Sequence, residues 1–307
     1  MNGVIWMKHR GDLCLILCGV LVWFLADAVR VRAAAAEALV FCGSAVIPAL
    51  FPFLAVSGLL ISLGFGEWLG PRLAGLMALY DLPGSAGSAL VLGLAGGYPV
   101  GARTAADLYR KGALTRDEAE RLLGFCNNSN PVFLISVLGA GVFGSLRVGV
   151  YLWLIHILSA LLTGFFFRGR RAVHRAVPKT LPSKGFAAAF VEAVGNAGNS
   201  MVSICAFVVL FYVLASPLAA LGWPAAALTG FLELFSLTPL LSPDRAGFLL
   251  AAVCSSFGGL SILCQTAAAL DSSGLSLKPC ILGKCLQATF AAVLCGMLFL
   301  ADTFLIP

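Results

Sequence analysis

Long apolar runs recur along almost the whole chain, and they restrict its fold more than any other feature. A transmembrane helix needs about 20 consecutive apolar residues, and residues 13–29, 41–63, 148–167 and 280–304 form runs of this kind. Charged residues make up only 11% of the chain, and the mean hydropathy is +0.97. So few charges cannot cover a water-facing surface, which excludes a soluble enzyme and a disordered chain. The sequence predicts an all-α polytopic membrane protein with about 10 transmembrane helices or half-helices in a lipid bilayer.

Charge and hydropathy divide the 307 residues into the parts of a single membrane domain. We predict an N-terminal helix at 1–35, a first repeat at 41–167, a basic linker at 168–187 and a second repeat at 188–307. A cleaved signal peptide is the alternative interpretation of the first apolar run, because small residues follow it. Its length and the many later spans favour a retained helix.

Basic residues set the predicted orientation in the cell membrane. The linker carries six basic residues and no acidic residue, a pattern typical of a cytoplasmic loop. Counting spans from the linker places residues 103–121 and both termini in the cytoplasm, and places Asp81 and residues 271–278 outside. The net charge of +6 lies mostly in loops between apolar runs, so it does not indicate binding to nucleic acid.

Two similar segments indicate an internal repeat. GGYPVGARTAADLYRKG begins at Gly96 and GGLSILCQTAAALDSSG begins 162 residues later at Gly258, with seven identities over 17 positions. The span count gives the two segments opposite directions, which predicts an inverted repeat of the kind found in secondary transporters. Such folds bind substrate near the bilayer midplane beside interrupted helices. The alternative is that the glycine pairs only permit close helix packing.

A cluster of four polar residues followed by proline, from Asn127 to Pro131, interrupts an apolar stretch. Polar side chains on every side of a helix do not suit contact with lipid, and proline is favoured at the first position of a helix. We therefore predict a break in which the free N–H groups of a half-helix bind an anion or another polar ligand. The alternative is an ordinary helix cap at the membrane surface.

Glycine and proline predict further breaks in the two similar segments. Arg103 and Gln265 occupy equivalent positions there; Arg103 either binds a carboxylate or is a cation at the membrane interface. The predicted substrate-binding residues are Gly97, Tyr98, Pro99, Arg103, Asn127, Asn128, Ser129, Asn130, Gly258, Gly259, Ser261 and Gln265.

Acidic residues inside apolar stretches are candidates for ion coupling. Glu192, with Asn196 nearby, and Glu233 are predicted to line a polar core or to couple transport to protons, and Lys284 is a conceivable partner for either acid. We find no catalytic motif, so the sequence predicts no enzyme and no cofactor. The cysteine and histidine spacing gives no metal site.

The segments GGYPVGARTAADLYRKGALTRDEAERLLGFCNNSNPVFLISVLGAGVFG and FGGLSILCQTAAAL resemble the sporulation integral membrane proteins of the YlbJ type, in the wider nucleoside-recognition Gate group. The resemblance extends over most of the region from Phe41 onward. It implies a multi-spanning protein of endospore-forming bacteria, in the cell membrane or the outer forespore membrane, that is needed for a normal spore cortex. The group is also implicated in moving dipicolinate from the mother cell toward the forespore. The matching positions are Gly97, Tyr98, Pro99, Gly101, Asn127, Asn128, Ser129, Pro131, Glu233, Gly258, Gly259, Ser261 and Gln265.

The sequence differs from the usual pattern of the group at two of the candidate positions, so three functions stay open. The group usually has glycine where Asn130 stands and commonly lysine where Arg103 stands. The first hypothesis is an alternating-access transporter of a small organic anion, with dipicolinate as the best candidate. The second is a non-transporting protein of spore-envelope assembly, whose partners are other sporulation membrane proteins or further copies of itself. The third is a nucleoside permease.

Overall fold

The computed structural model describes residues 10–169, 185–219, 221 and 225–301, and all regular secondary structure in these residues is helical. The central part of the predicted basic linker, residues 170–184, and the two ends of the chain lie outside the described residues. The α-helices are α1 Arg10–Ala26, α2 Ala28–Phe41, α3 Ile47–Ser62, α4 Phe65–Ala78, α5 Ala86–Gly96, α6 Val100–Arg110, α7 Arg116–Leu123, α8 Leu146–Gly164, α9 Phe186–Ala219, α10 Ala226–Leu232, α11 Leu234–Leu237, α12 Arg245–Phe257, α13 Gly259–Leu270 and α14 Lys278–Leu300. Two π-helices, Cys42–Val46 and Phe133–Val142, complete the main elements.

Five helical segments in the described residues are long and apolar enough to cross a bilayer. They are Ala28–Ser62, Leu146–Phe167, Phe186–Leu218, Arg245–Ser273 and Lys278–Leu300. Gly11–Ala26, Ala86–Gly96 and Phe133–Val142 are apolar but shorter. The prediction of an all-α, multi-spanning membrane protein is confirmed, and interrupted or short helices account for the remaining apolar runs.

Helices α5 and α6 form a hairpin that enters the protein and returns to the face from which it started. Each has 11 residues and is about 16 Å long. The Ser85 hydroxyl before α5 donates to the Ala113 carbonyl just after α6, at 3.3 Å, so the outer ends of the two helices meet. The turn between them, Gly97–Pro99, lies at the inner tip. A single crossing through this region, which the span count assumed, is therefore wrong.

The hairpin changes the predicted sides of the loops. The Asp81 carboxylate accepts a hydrogen bond from Arg168 at 2.8 Å, and Arg121 donates to the carbonyls of Tyr80 and Phe167. Asp81 therefore lies on the same face as Arg121 and Arg168, and the prediction that it lies on the opposite face is wrong. Residues 73–82, a weakly apolar segment before it, are divided between the end of α4 and the turn that follows Ala78, and α4 is not among the helices that are long and apolar enough to cross a bilayer.

The loop after α13 lies on this same basic face. Arg110 donates to the Ser272 hydroxyl at 2.6 Å, and Arg116 donates to the Gly274 carbonyl at 2.8 Å. The span count had placed residues 271–278 on the opposite face from these arginines, which is wrong. Since α14 starts at this face and leads away from it, the span count no longer supports a cytoplasmic C-terminus, and the predicted side of the N-terminus stays a prediction.

The two similar segments run side by side in the same direction. Near their starts, the Tyr98 hydroxyl donates to the Ser255 carbonyl at 3.1 Å, and at their ends Arg110 donates to Ser272. Helices α6 and α13 are therefore parallel, whereas the predicted inverted repeat required them to be antiparallel. The inverted orientation is wrong for these segments, and the division into repeats at 41–167 and 188–307 stays a prediction.

Candidate functional site

The predicted break at Asn127–Pro131 lies in the interior of the protein. Helix α7 ends at Leu123, residues 127–130 are not helical, and helical structure resumes at Pro131. The four polar side chains are only 0–3% exposed, so the alternative of a cap at the membrane surface does not hold. A Cβ atom at Gly93 or Gly101 would lie 1.8 or 2.1 Å from the Cys126 carbonyl oxygen. Glycine at both positions therefore lets the segment lie directly against the α5–α6 hairpin.

Asn130 joins this break to the tip of the hairpin. Its side-chain nitrogen donates to the Gly96 carbonyl at the end of α5, at 3.2 Å, and its side-chain oxygen accepts from the Val132 backbone N–H at 2.7 Å. Gly97 has a φ of +81°, and a Cβ there would lie 2.7 Å from the Asn130 Cβ. One asparagine thus satisfies backbone groups at the ends of two interrupted helices.

Lys284, on α14, lies at the centre of the buried polar contacts. Its side chain is 1% exposed, and its ammonium donates to the Tyr98 hydroxyl at 3.1 Å and to the Gln287 side-chain oxygen at 2.7 Å. The ammonium also lies 4.8 Å from the centre of the Tyr98 ring, a favourable cation–π distance. Gln287 in turn donates to the Asn128 side-chain oxygen at 3.0 Å. Lysine, glutamine and asparagine therefore form one chain of hydrogen bonds.

His156 and Thr266 connect this chain to α8 and α13. The Ser129 backbone N–H donates to His156 Nε2 at 3.0 Å, so Nε2 carries no hydrogen and Nδ1 is the protonated nitrogen. Nδ1 lies 3.3 Å from the Ser256 hydroxyl. The Asn127 amide nitrogen donates to the Thr266 hydroxyl at 2.9 Å. We call Tyr98, Asn127, Asn128, Ser129, Asn130, His156, Thr266, Lys284 and Gln287 the lysine network.

The lysine network has a positive charge and no carboxylate. Among the described residues, no aspartate or glutamate forms an ion pair with Lys284. A buried ammonium without a counter-ion is costly, and here its surroundings are the Tyr98 hydroxyl and ring, the Gln287 side-chain oxygen and the thiols of Cys126 and Cys280. This arrangement can accept an anion, because the anion would supply the missing negative charge.

Sequence reasoning predicted part of this network and missed the rest. Tyr98 and the asparagines were predicted, and the structure brings them together. The sequence indicates Lys284 only as a partner for Glu192 or Glu233, and it does not indicate His156 or Gln287 as site residues. A single lysine within an apolar run was the available signal, but the sequence alone does not show which groups surround it.

Other predicted site residues lie around the network. Arg103 is half-buried on α6 and donates to the Ser200 hydroxyl at 2.6 Å. The buried Gln265 donates to Ser261 one helical turn away, at 3.3 Å. The structure does not bring Glu192 and Asn196 into the network, because both side chains are exposed on α9. Pro99 follows Tyr98 at the hairpin tip, and the two glycines of the second segment, Gly258 and Gly259, have φ of +92° and +87° and interrupt the helix between α12 and α13.

Glu233 occupies a different break, between α10 and α11. It is fully buried, and one carboxylate oxygen accepts from the Ser236 backbone N–H and hydroxyl, at 2.6 and 2.9 Å. Its other oxygen, Oε1, has no hydrogen-bond partner. No group of three or more histidine, cysteine, aspartate or glutamate side chains suited to a metal occurs in the described parts of the chain.

Comparisons with known proteins confirm the resemblance inferred from the sequence. The Gate family, described as nucleoside recognition, matches residues 44–167. The chain is also 28% identical to the sporulation integral membrane protein YlbJ of Bacillus subtilis (strain 168), over 83% of this chain and 74% of that protein. No solved structure matches the chain. The Gate match spans the α5–α6 hairpin, the asparagine cluster and His156, so it includes most of the lysine network.

Proposed function

We propose that this chain, a polytopic membrane protein of the Gate and YlbJ type, transports a small organic anion across the cell membrane during sporulation, with dipicolinate as the first candidate substrate. The observation that carries the proposal is the ammonium of Lys284, which is buried among neutral partners. A substrate carboxylate would neutralise it in a region from which water is largely excluded.

The groups around Lys284 favour a planar, multiply hydrogen-bonding anion. The amide groups of Asn128 and Gln287 supply donors, and the Tyr98 ring supplies an aromatic surface. Dipicolinate has two carboxylates on an aromatic ring, so one carboxylate can bind Lys284 while the other binds Arg103 or amide groups. A dianion gains more from a positive site than a neutral nucleoside does.

Transport requires the network to open alternately to the two faces. The α5–α6 hairpin is the element that we propose to move, because both of its outer ends lie at one face and its tip reaches the network through hydrogen bonds of Asn130 and Tyr98. Its outer ends lie on the face that carries Arg110, Arg121 and Arg168. We propose that this basic face is cytoplasmic.

The decisive experiment is flux in liposomes that contain the purified full chain. We expect saturable uptake of labelled dipicolinate, reduced at least about tenfold by Asn128→Ala and Arg103→Ala, because each loses a polar contact to the anion. Asn199→Ala, at an exposed position of α9, is the matched control and retains flux. Absence of dipicolinate flux with the wild-type chain contradicts the proposed substrate. Unchanged flux in both variants removes these two residues from the site.

Nucleoside transport is the second candidate function, and the description of the Gate family as nucleoside recognition favours it. The asparagine and glutamine amides are suitable partners for a base or a ribose. Competition in the same liposomes separates the two candidates, because excess uridine or adenosine lowers flux only if nucleosides bind the same site. Co-purification of other sporulation membrane proteins, without flux of either substrate, would instead support a role in spore-envelope assembly.

A further inference from the structure

The break at Glu233 contains a buried carboxyl group that is not part of the lysine network. The carboxylate is fully buried, and both hydrogen bonds that it accepts, from the Ser236 N–H and hydroxyl, go to the same oxygen, Oε2. Two donors on one oxygen favour the ionised carboxylate, whereas burial away from water favours the neutral acid. The second oxygen, Oε1, has no partner. One carboxylate oxygen of a fully buried side chain is therefore without a hydrogen-bond partner.

Capping of α11 does not by itself explain a glutamate here. Serine, threonine, asparagine or aspartate are the usual capping residues, and a neutral side chain would cap the four-residue helix without burying a charge. The cap accounts for Oε2 and leaves Oε1 unexplained. A fully buried carboxyl group with an unpartnered oxygen is a position that suits a bound cation.

Further oxygen atoms without partners lie along the same short segment. Five buried side-chain nitrogen or oxygen atoms in the described residues lack a hydrogen-bond partner, and three of them, on Thr229, Glu233 and Thr238, fall within ten residues. The carbonyl oxygens of Gly230, Phe231 and Leu232 would lie 3.2–3.3 Å from a Cβ at Gly259, so they point toward the neighbouring helix break. Oxygen atoms are the ligands that hard cations prefer, and carbonyls at the ends of interrupted helices bind coupling cations in transporters.

The titratable groups that face Glu233 provide no positive charge. Cys42 on the π-helix after α2, and Tyr212 on α9, interact with the Glu233 charge. Behind them, Cys205 hydrogen-bonds to Cys42 and Glu37 hydrogen-bonds to Tyr212. None of these groups is basic, and no described lysine, arginine or histidine forms an ion pair with Glu233.

We infer that Glu233 binds a monovalent metal cation, Na⁺, through its unpartnered carboxylate oxygen at the break between α10 and α11. Cation binding would complete the coordination of Oε1 and neutralise the buried charge. Binding of the cation does not depend on the proposed function. Its role as the coupling ion for anion transport rests on the proposed function.

The first test measures cation binding without transport. The thermal unfolding midpoint of the purified full chain in detergent is followed while NaCl replaces choline chloride at constant ionic strength. We expect the wild-type midpoint to rise steadily with the logarithm of the Na⁺ concentration, because a ligand of the folded state stabilises it by mass action. Glu233→Gln retains an oxygen that can cap Ser236 but has no charge, so its midpoint does not respond to Na⁺.

Matched variants separate a charge effect from general disruption. Asp117→Asn changes an exposed carboxylate on α7 and is expected to leave the Na⁺ response intact, whereas Glu233→Asp retains the carboxylate and is expected to show a weakened response. If Glu233→Gln does not fold, the wild-type chain and Glu233→Asp still decide the question. A wild-type midpoint that is insensitive to Na⁺ overturns the inference. A midpoint that responds to acidic pH instead of Na⁺, and loses this response in Glu233→Gln, also overturns it by identifying a proton as the occupant.

The second test measures coupling in liposomes. An inward Na⁺ gradient is expected to drive accumulation of dipicolinate by the wild-type chain, and Glu233→Gln is expected to lose gradient-driven accumulation. A Na⁺-dependent midpoint without dipicolinate flux contradicts the proposed function and leaves the cation site in place. Dipicolinate flux without any Na⁺ response has the opposite meaning, because it supports the transporter and overturns the cation site.

Discussion

The lysine network and the Glu233 break are both built on interrupted helices, but they satisfy their polar groups differently. In the lysine network the side-chain nitrogen and oxygen atoms of Asn127, Asn128, Asn130, Lys284 and Gln287 all have hydrogen-bond partners. At the second break, Glu233 and two threonines each leave one buried oxygen without a partner. The polar groups of the first region satisfy one another, which we call closed, whereas the second region retains oxygen atoms without a hydrogen-bond partner.

The two regions also have opposite charges, and neither neutralises the other. Lys284 contacts Tyr98 and Gln287, whereas Glu233 contacts Ser236. If the two charges formed an ion pair, the structure would need no external ion at either position. Their separation is consistent with the two proposals, an anion site at Lys284 and a cation site at Glu233.

Removal of the positive charge tests the first region, and we expect the largest effect here. Lys284→Met retains most of the side-chain volume but removes the ammonium, so the affinity for dipicolinate in flux measurements is expected to fall more than about tenfold. Transport of a neutral analogue, the dicarboxamide of dipicolinate, is expected to change much less. This difference distinguishes a charge contact from a structural role.

The control for this variant lies on the same helix. Lys278→Met removes an exposed lysine at the start of α14, and it is expected to leave dipicolinate affinity unchanged. Equal loss for the dianion and the neutral analogue in Lys284→Met, together with a lowered unfolding midpoint, would show that Lys284 stabilises the fold and does not select the substrate.

The positions of the helix breaks could be predicted from the sequence because their signals are local. Glycine adopts a positive φ without strain, and Gly97 and Gly258 both do so. Asparagine and serine cap helices, and proline starts them, which identified the break before Pro131. In each case the signal lies in the residues at the break itself, so no knowledge of distant contacts is needed to find it.

The direction of the helices could not be predicted in the same way. A hairpin of two 11-residue helices has the same apolar composition as one continuous span, so counting spans assigned a crossing where the chain turns back. That one error reversed the predicted side of Asp81 and the relative direction of α6 and α13. The contacts that correct it, such as Arg168 with Asp81, join positions that are far apart in the chain.

The sequence also does not predict which groups surround the buried side chains of Lys284 and Glu233. Apolar runs with a single charge predicted that Lys284 and Glu233 would be unusual. Which groups face each charge depends on how α14 packs against α8 and how α10 packs against α9. For this reason the sequence suggested Glu233 as a partner for Lys284, and the structure shows two separate environments.

Asn130 provides a second, smaller test of the closed region. Asn130→Ala removes the side chain that binds the Gly96 carbonyl and the Val132 N–H, leaving two buried backbone groups without these partners. We expect a loss of about 1–3 kcal/mol in the free energy of unfolding, measured as a lower thermal midpoint in detergent. Asn199→Ala, at an exposed position, is expected to cause no measurable change. An unchanged midpoint in Asn130→Ala would show that other groups hold the hairpin tip. The hydrogen bonds of Asn130 would then contribute little to the stability of the first region.

The smallest expected effect concerns the base of the hairpin, where Arg121 donates to the carbonyls of Tyr80, Asp81 and Phe167 at 3.2–3.4 Å. Arg121→Met retains the apolar part of the side chain and loses these bonds, and the expected cost is about 1 kcal/mol because the group is near solvent. Arg116→Met, which changes an exposed arginine on the same helix, is the control and should lower the unfolding midpoint less. Because Arg121 joins the outer end of the hairpin to the end of α8, a reduced midpoint with retained dipicolinate affinity would show that the base stabilises the hairpin while the tip alone binds substrate. Loss of affinity in this variant would instead show that substrate binding depends on the position of the whole hairpin. The closed region would then include the contacts of Arg121 at the basic face as well as those of Lys284.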